Sequence, residues 1–151
     1  MMQAFGRATG VALLLLWATS SHAQTVASCG ASEGRAYVVE GGSVQAGKGG
    51  WIRDGIAGGR FEAIKKGTEY DIQYYDATWH TYSARRDDGA TVVALKETSA
   101  ALVILVVYPD RMAGGTTEVF QFRPLDGEVI WMQMKYGGLI EKTSVFHARC
   151  D

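Results

Sequence analysis

The chain reads as an all-β domain: an antiparallel meander of about eight to ten strands, closing into a small barrel or a tight sandwich under one disulfide. Three observations predict this. Short apolar or alternating segments recur roughly every ten residues, turn signals stand between them, and the only two cysteines, Cys29 and Cys150, sit at the two ends of the series. No stretch combines 3.6-residue apolar periodicity with helix caps.

The elements follow in order from the N-terminus. Residues 1–23 read as an export leader, with Arg7 as its positive start, an apolar run over 11–18 and small residues at Ser21 and Ala23, so that cleavage is expected after Ala23. The run is too short to span a bilayer as a helix, which needs about 20 residues, and no transmembrane segment is expected elsewhere. A rival reading comes from Val26-Ala27-Ser28-Cys29, which resembles a bacterial lipobox and would make Cys29 a lipid anchor. Ten residues, 19–28, separate that cysteine from the apolar run, a wider gap than a lipoprotein leader keeps. Removing 23 of the 151 residues leaves residues 24–151 as a single all-β domain of 128 residues. Arg7 goes with the leader, so 14 basic residues face 16 acidic ones, a net charge of −2. Nucleic-acid binders carry a basic face, so no nucleic-acid partner is expected.

Candidate strands cover 35–40, 51–56, 59–66, 69–76, 79–86, 91–97, 100–109, 116–123, 128–136 and 143–149. Lys66-Gly67-Thr68, Asp87-Asp88-Gly89, Pro109-Asp110, Pro124-Leu125-Asp126-Gly127 and Gly137-Gly138 separate them. Connections this short join antiparallel neighbours. Alternation in 69–76 puts Tyr70, Ile72 and Tyr74 on one face and Asp71, Gln73 and Tyr75 on the other. The strand at 100–109 breaks the rule, because Val103, Leu105 and Val107 are as apolar as Leu102, Ile104 and Val106. A milder case is 128–136, with Ile130, Met132, Met134 and Tyr136 on one face and Val129 and Trp131 on the other. Such strands are either covered on both faces or present an apolar patch to a partner.

The cysteines then constrain the architecture. Ten strands laid flat would separate first from last by about 43 Å at ~4.8 Å per spacing, whereas a disulfide needs Cα atoms about 5.5 Å apart. The first and last strands must therefore approach each other.

The glycine-rich segment 41–59 is the most irregular part and the expected functional loop, offering Lys48, Trp51, Arg53 and Asp54 for recognition. Gly42 to Lys48 has the G-x-x-x-x-G-K spacing of a phosphate loop, but Gly49 replaces the magnesium-binding Ser or Thr and no helix follows. Beyond the leader only His80 and His147 remain as histidines, without metal-ligand spacing, and no G-x-S-x-G elbow occurs. No catalytic residue, metal site or cofactor is therefore assigned. The leading reading is an exported barrel that binds a small apolar ligand at its interior or mouth, lined by some of Tyr74, Trp79, Trp131 and Tyr136. The alternative is a protein-interaction module, an inhibitor or envelope accessory, whose partner is another envelope protein. A hydrolytic enzyme ranks behind both.

Cys29-Gly30 followed by Ala36-Tyr37, then Gly47-Lys48-Gly49-Gly50-Trp51 with Asp54-Gly55-Ile56, then Glu69-Tyr70-Asp71-Ile72, resembles a group of small exported alphaproteobacterial proteins of unknown function. The resemblance spans nearly all of 24–151 and includes the C-terminal cysteine. It implies a periplasmic or secreted setting and no activity.

Overall fold

The computed structural model describes residues 22–76, 78, 80–110 and 114–151. Ten strands form one antiparallel sheet: β1 (Gln24–Val38), β2 (Gly50–Ile56), β3 (Arg60–Lys66), β4 (Glu69–Tyr75), β5 (Thr81–Ser83), β6 (Thr91–Glu97), β7 (Leu102–Val107), β8 (Gly115–Arg123), β9 (Glu128–Tyr136) and β10 (Lys142–Cys150). No helix occurs among the described residues, and none is long and apolar enough to cross a membrane.

The order is β5-β4-β3-β1-β10-β9-β8-β7-β6, with β2 paired to β1 off this path. The first and last strands are thus hydrogen-bonded neighbours in the middle of the sheet, and Cys29 faces Cys150 directly with Cα atoms 4.0 Å apart and the sulfurs bonded. The free edges lie instead at strands from the middle of the chain. Curling brings β4 and β6 side by side without a backbone ladder. Arg85 spans that seam, donating from Nε to the Tyr70 carbonyl at 2.7 Å and from Nη2 to the Val92 carbonyl at 2.5 Å. One guanidinium satisfies two edge carbonyls that would otherwise need water or a further strand.

Two strands depart from expectation. β1 begins at Gln24 rather than Arg35, because the small residues before Arg35 show no alternation yet are held by ladders, Gln24–Cys29 to β3 and Ser32–Gly34 to β10 and β2. Its N-terminal half pairs with β3 and its C-terminal half with β2, the register shifting at Gly30-Ala31. Gly34 permits this crowding, since a Cβ there would lie 1.9 Å from the Val145 carbonyl oxygen. β5 shrinks to three residues. Asp71 accepts from Ser83 Oγ and Arg85 N, and Asp87 from Ser83 N, so carboxylates capture groups that would otherwise extend the strand.

The core fills one half of the interior. Phe61, Phe120, Phe122, Trp131 and Phe146 interlock with ring centroids 4.8 to 6.4 Å apart, joined by Ile72, Ala63, Leu102, Ile104, Val129 and Ala148. Tyr70, Ile72 and Tyr74 point inward as alternation requires. In β7, Leu102, Ile104 and Val106 are buried, and so are Val129 and Trp131 of β9. The opposite apolar faces of these strands have no second sheet over them among the described residues: Val107, Ile130, Met132 and Met134 are exposed, and Val103 and Leu105 half-buried.

Candidate functional site

Register converts sequence into rows of inward side chains. One row runs Ile104, Phe120, Trp131, Phe146, Gly34, Asp54 across β7, β8, β9, β10, β1 and β2. Two residues further along the same strands the row reads Val106, Glu118, Gln133, Ser144, Ala36, Ile52. The next reads Thr116, Lys135, Lys142, Val38. Each step is about 6.8 Å along the strands. The interior therefore passes from aromatic to polar to basic toward one mouth.

Glu118 anchors the polar row and is 3% exposed. Tyr74 Oη donates to its Oε2 at 2.5 Å, Tyr108 Oη donates to the same oxygen at 3.0 Å, and Gln133 Nε2 donates to Oε1 at 2.6 Å. The two tyrosine oxygens are 2.9 Å apart. Burial pushes the Glu118 carboxyl above its usual range, against the pull of Tyr74, Gln133, Tyr108 and the Lys135 charge. Burial and the Glu118 charge raise both tyrosines far enough that they stay neutral donors. This group forms the polar side of a cavity of about 510 Å³, whose wall also includes Ile56, Trp131, Tyr136 and Ile140. Trp131 is 1% exposed, and its Nε1 is buried without a hydrogen-bond partner. An orphaned buried donor costs about 1 to 3 kcal/mol unless something accepts from it.

A second hollow of about 640 Å³ adjoins this one, sharing Lys135 and Ile140 and adding Val38, Val44, Ile52, Lys48 and Lys142. Lys142 is neutralised, its Nζ 2.5 Å from Asp54 Oδ2, which also accepts from Ser144 Oγ at 2.9 Å. Asp54 reaches these β10 groups because Gly34 and Ala36 on the intervening β1 present almost no side chain. Burial raises the Asp54 carboxyl, but Lys142, Ser144 and Gly55 together hold it below the usual range. The glycine-rich turn stands at the edge of this hollow. There Gly42 adopts φ +57° and a Cβ would lie 2.5 Å from the Leu139 carbonyl oxygen, so the turn packs on the β9–β10 connection only with glycine.

The residues expected in one recognition loop are divided between faces. Segment 41–59 is a turn followed by β2, and strand alternation sends Trp51 and Arg53 outward and Asp54 inward. Trp51 is 65% exposed and edge-on to Tyr37 at 5.5 Å. Arg53 lies beside Arg35 on the outer wall. Lys48 lines the basic hollow and Trp131 the cavity, whereas Trp79 lies outside the described residues. Tyr108, Gln133, Lys135 and Lys142 were not singled out from sequence. The signal for them is a polar residue in phase with buried aromatics, such as Glu118 with Phe120 and Phe122, or Gln133 and Lys135 with Val129 and Trp131.

A further hollow, of about 740 Å³, is a depression on the outer wall beside Glu33, Arg35, Arg53 and His147. No buried polar group converges there, so the candidate site is placed at the mouth. Among protein families, curated proteins and solved structures, none matches this chain.

Proposed function

We propose that this chain is an exported binding protein that holds a small, largely apolar ligand in the mouth of its barrel. The observation that carries the reading is the 510 Å³ cavity, walled by Ile56, Trp131, Tyr136 and Ile140, with the Glu118 cluster at its side. Its size falls in the range of small-molecule sites, and an apolar lining with a few converging polar groups is their usual chemistry. A periplasmic or secreted setting fits the disulfide, which belongs to oxidising compartments. It also fits the leader, because cleavage after Ala23 leaves β1, starting at Gln24, whole. Cys29 commits to Cys150 the sulfur that a lipid anchor would need. The test is a Trp fluorescence titration with a panel of small apolar molecules, comparing wild type with Thr116→Phe, whose ring would fill the cavity while Trp131 stays as the reporter. A saturable change in wild type that the variant loses supports the reading, and the same response in both proteins, or none, contradicts it.

A second reading, contact with another envelope protein, is favoured by the outward face. Val93, Leu105, Val119, Met132 and Val145 form one unbroken row across β6 to β10, with Val107 and Met134 in the row beside it. Such an aliphatic band exceeds the scattered single residues of an ordinary surface. Met132→Glu should abolish any co-purifying protein while leaving ligand titrations unchanged; co-purification that survives this variant removes the outward face from consideration.

A further inference from the structure

We propose that the ligand is an amphiphilic anion, its apolar chain in the cavity beside Trp131 and its negative head at the rim on Lys48 and Lys135. The inference rests on the mouth being a ligand site and adds the chemical class. Three lysines, Lys48, Lys135 and Lys142, line the outer hollow, and no acidic side chain does. Asp54 compensates Lys142, while Lys48 and Lys135 have no ion-pair partner among the described residues. Lys48 and Lys135, neither of them in a salt bridge among the described residues, flank a hollow walled by Val38, Val44, Ile52 and Ile140, on a chain whose overall charge is −1, and Lys135 lies one row from Glu118. General basicity does not explain that concentration; an anion held there does.

Orientation follows from the neighbouring row. Glu118 sits one row, about 6.8 Å along the strands, inside Lys135, and already accepts from Tyr74, Tyr108 and Gln133. Those donors are already committed to Glu118, so the deep end offers no free donor to an anionic head, and the head belongs outside and the chain inside. The aromatic and aliphatic walls of Trp131, Tyr136, Ile56 and Ile140 suit a chain.

Isothermal calorimetry on residues 24–151 with the disulfide intact tests this, using decanoate, decanol and decyltrimethylammonium below their micelle concentrations. Decanoate should bind at least about tenfold tighter than decanol, the difference expected from one or two charge-assisted contacts. Shortening to octanoate should weaken binding about fourfold per methylene, the equivalent of ~0.8 kcal/mol each. The exposed pair Lys48→Gln/Lys135→Gln should remove the preference for decanoate and leave decanol unchanged, and Lys48→Arg/Lys135→Arg should restore it. Equal affinity for decanoate and decanol, insensitive to the lysines, overturns the anionic head while leaving a ligand-binding mouth. Tighter binding of the ammonium compound overturns it too. No binding of any amphiphile, together with a flat Trp131 titration, overturns both.

Discussion

The two halves of the curled sheet's interior are built on the same strands only two residues apart, yet they differ in what their inward positions hold. In the closed half, Phe120 stacks on Trp131, Phe146 packs tilted against the other side of that cluster, and Cys29 and Ala148 join the same core. In the open half, Glu118, Gln133 and Ser144 occupy the corresponding positions, with Thr116, Lys135 and Lys142 beyond them. The closed half gains stability from apolar burial at about 25 cal/mol per Å². The open half buries a carboxylate, which costs stability unless every lone pair is satisfied. A chain selected only to fold would continue the aromatic pattern to the end of the strands. Apolar burial is concentrated in one half, and the other holds the polar groups on which the proposed ligand site rests.

The largest effect is expected at the disulfide of the closed half. The disulfide closes a sequence separation of 121 residues, which in the chain-entropy account is worth about 4 to 5 kcal/mol, so reduction should lower the melting temperature markedly. Intact mass before and after reduction should rise by two hydrogens; a lipid increment on Cys29 instead would contradict the bond.

Next comes a matched pair of truncations followed by urea unfolding. Phe120→Ala should cost about 3 to 5 kcal/mol by opening a void among packed rings. Thr116→Ala, on the same strand and face but in the open half, should cost less than about 1 kcal/mol. Equal costs would mean that the interior is one continuous core.

The smallest effect is a pH trend. Because burial raises the Glu118 carboxyl, the fold holds that proton more tightly than the unfolded chain does. Its contribution is favourable below the usual value of 4.5 and is lost as pH rises through the folded value. Glu118→Gln removes that loss, so its melting temperature should gain on wild type as pH increases above about 4.5. Carboxyls shifted the other way, such as Asp87, drawn down to about 2 by Arg86, contribute stability that is lost as pH falls, and they cancel between the two proteins. A difference independent of pH would place Glu118 in water.

Much of the fold was legible in the residues. β8 and β9 fell within one residue of expectation because Pro124-Leu125-Asp126-Gly127 fixes a tight turn between strongly apolar runs. The approach of first and last strands followed from Cys29 and Cys150 alone. What stayed hidden depended on pairing at a distance: Gln24 to Gly34 became strand through ladders rather than pattern, and β5 was shortened by Asp71 from another strand. The site was half legible. Tyr74, Tyr136 and Trp131 were expected at the interior or mouth, but Gln133 and Lys135 carried no assignment until register placed them next to Glu118 and Thr116. Alternation assigns residues to a common face without saying which face is inside when both are apolar, as in β7 and β9.

The account turns on the open half being a ligand site, and native mass spectra of wild type and Thr116→Trp, prepared side by side from the cells that make this protein, test that most directly. Wild type should carry one discrete small mass, absent from the variant whose indole fills the cavity, with both proteins melting at similar temperatures. A bare wild type, or the same mass retained by Thr116→Trp, would contradict it.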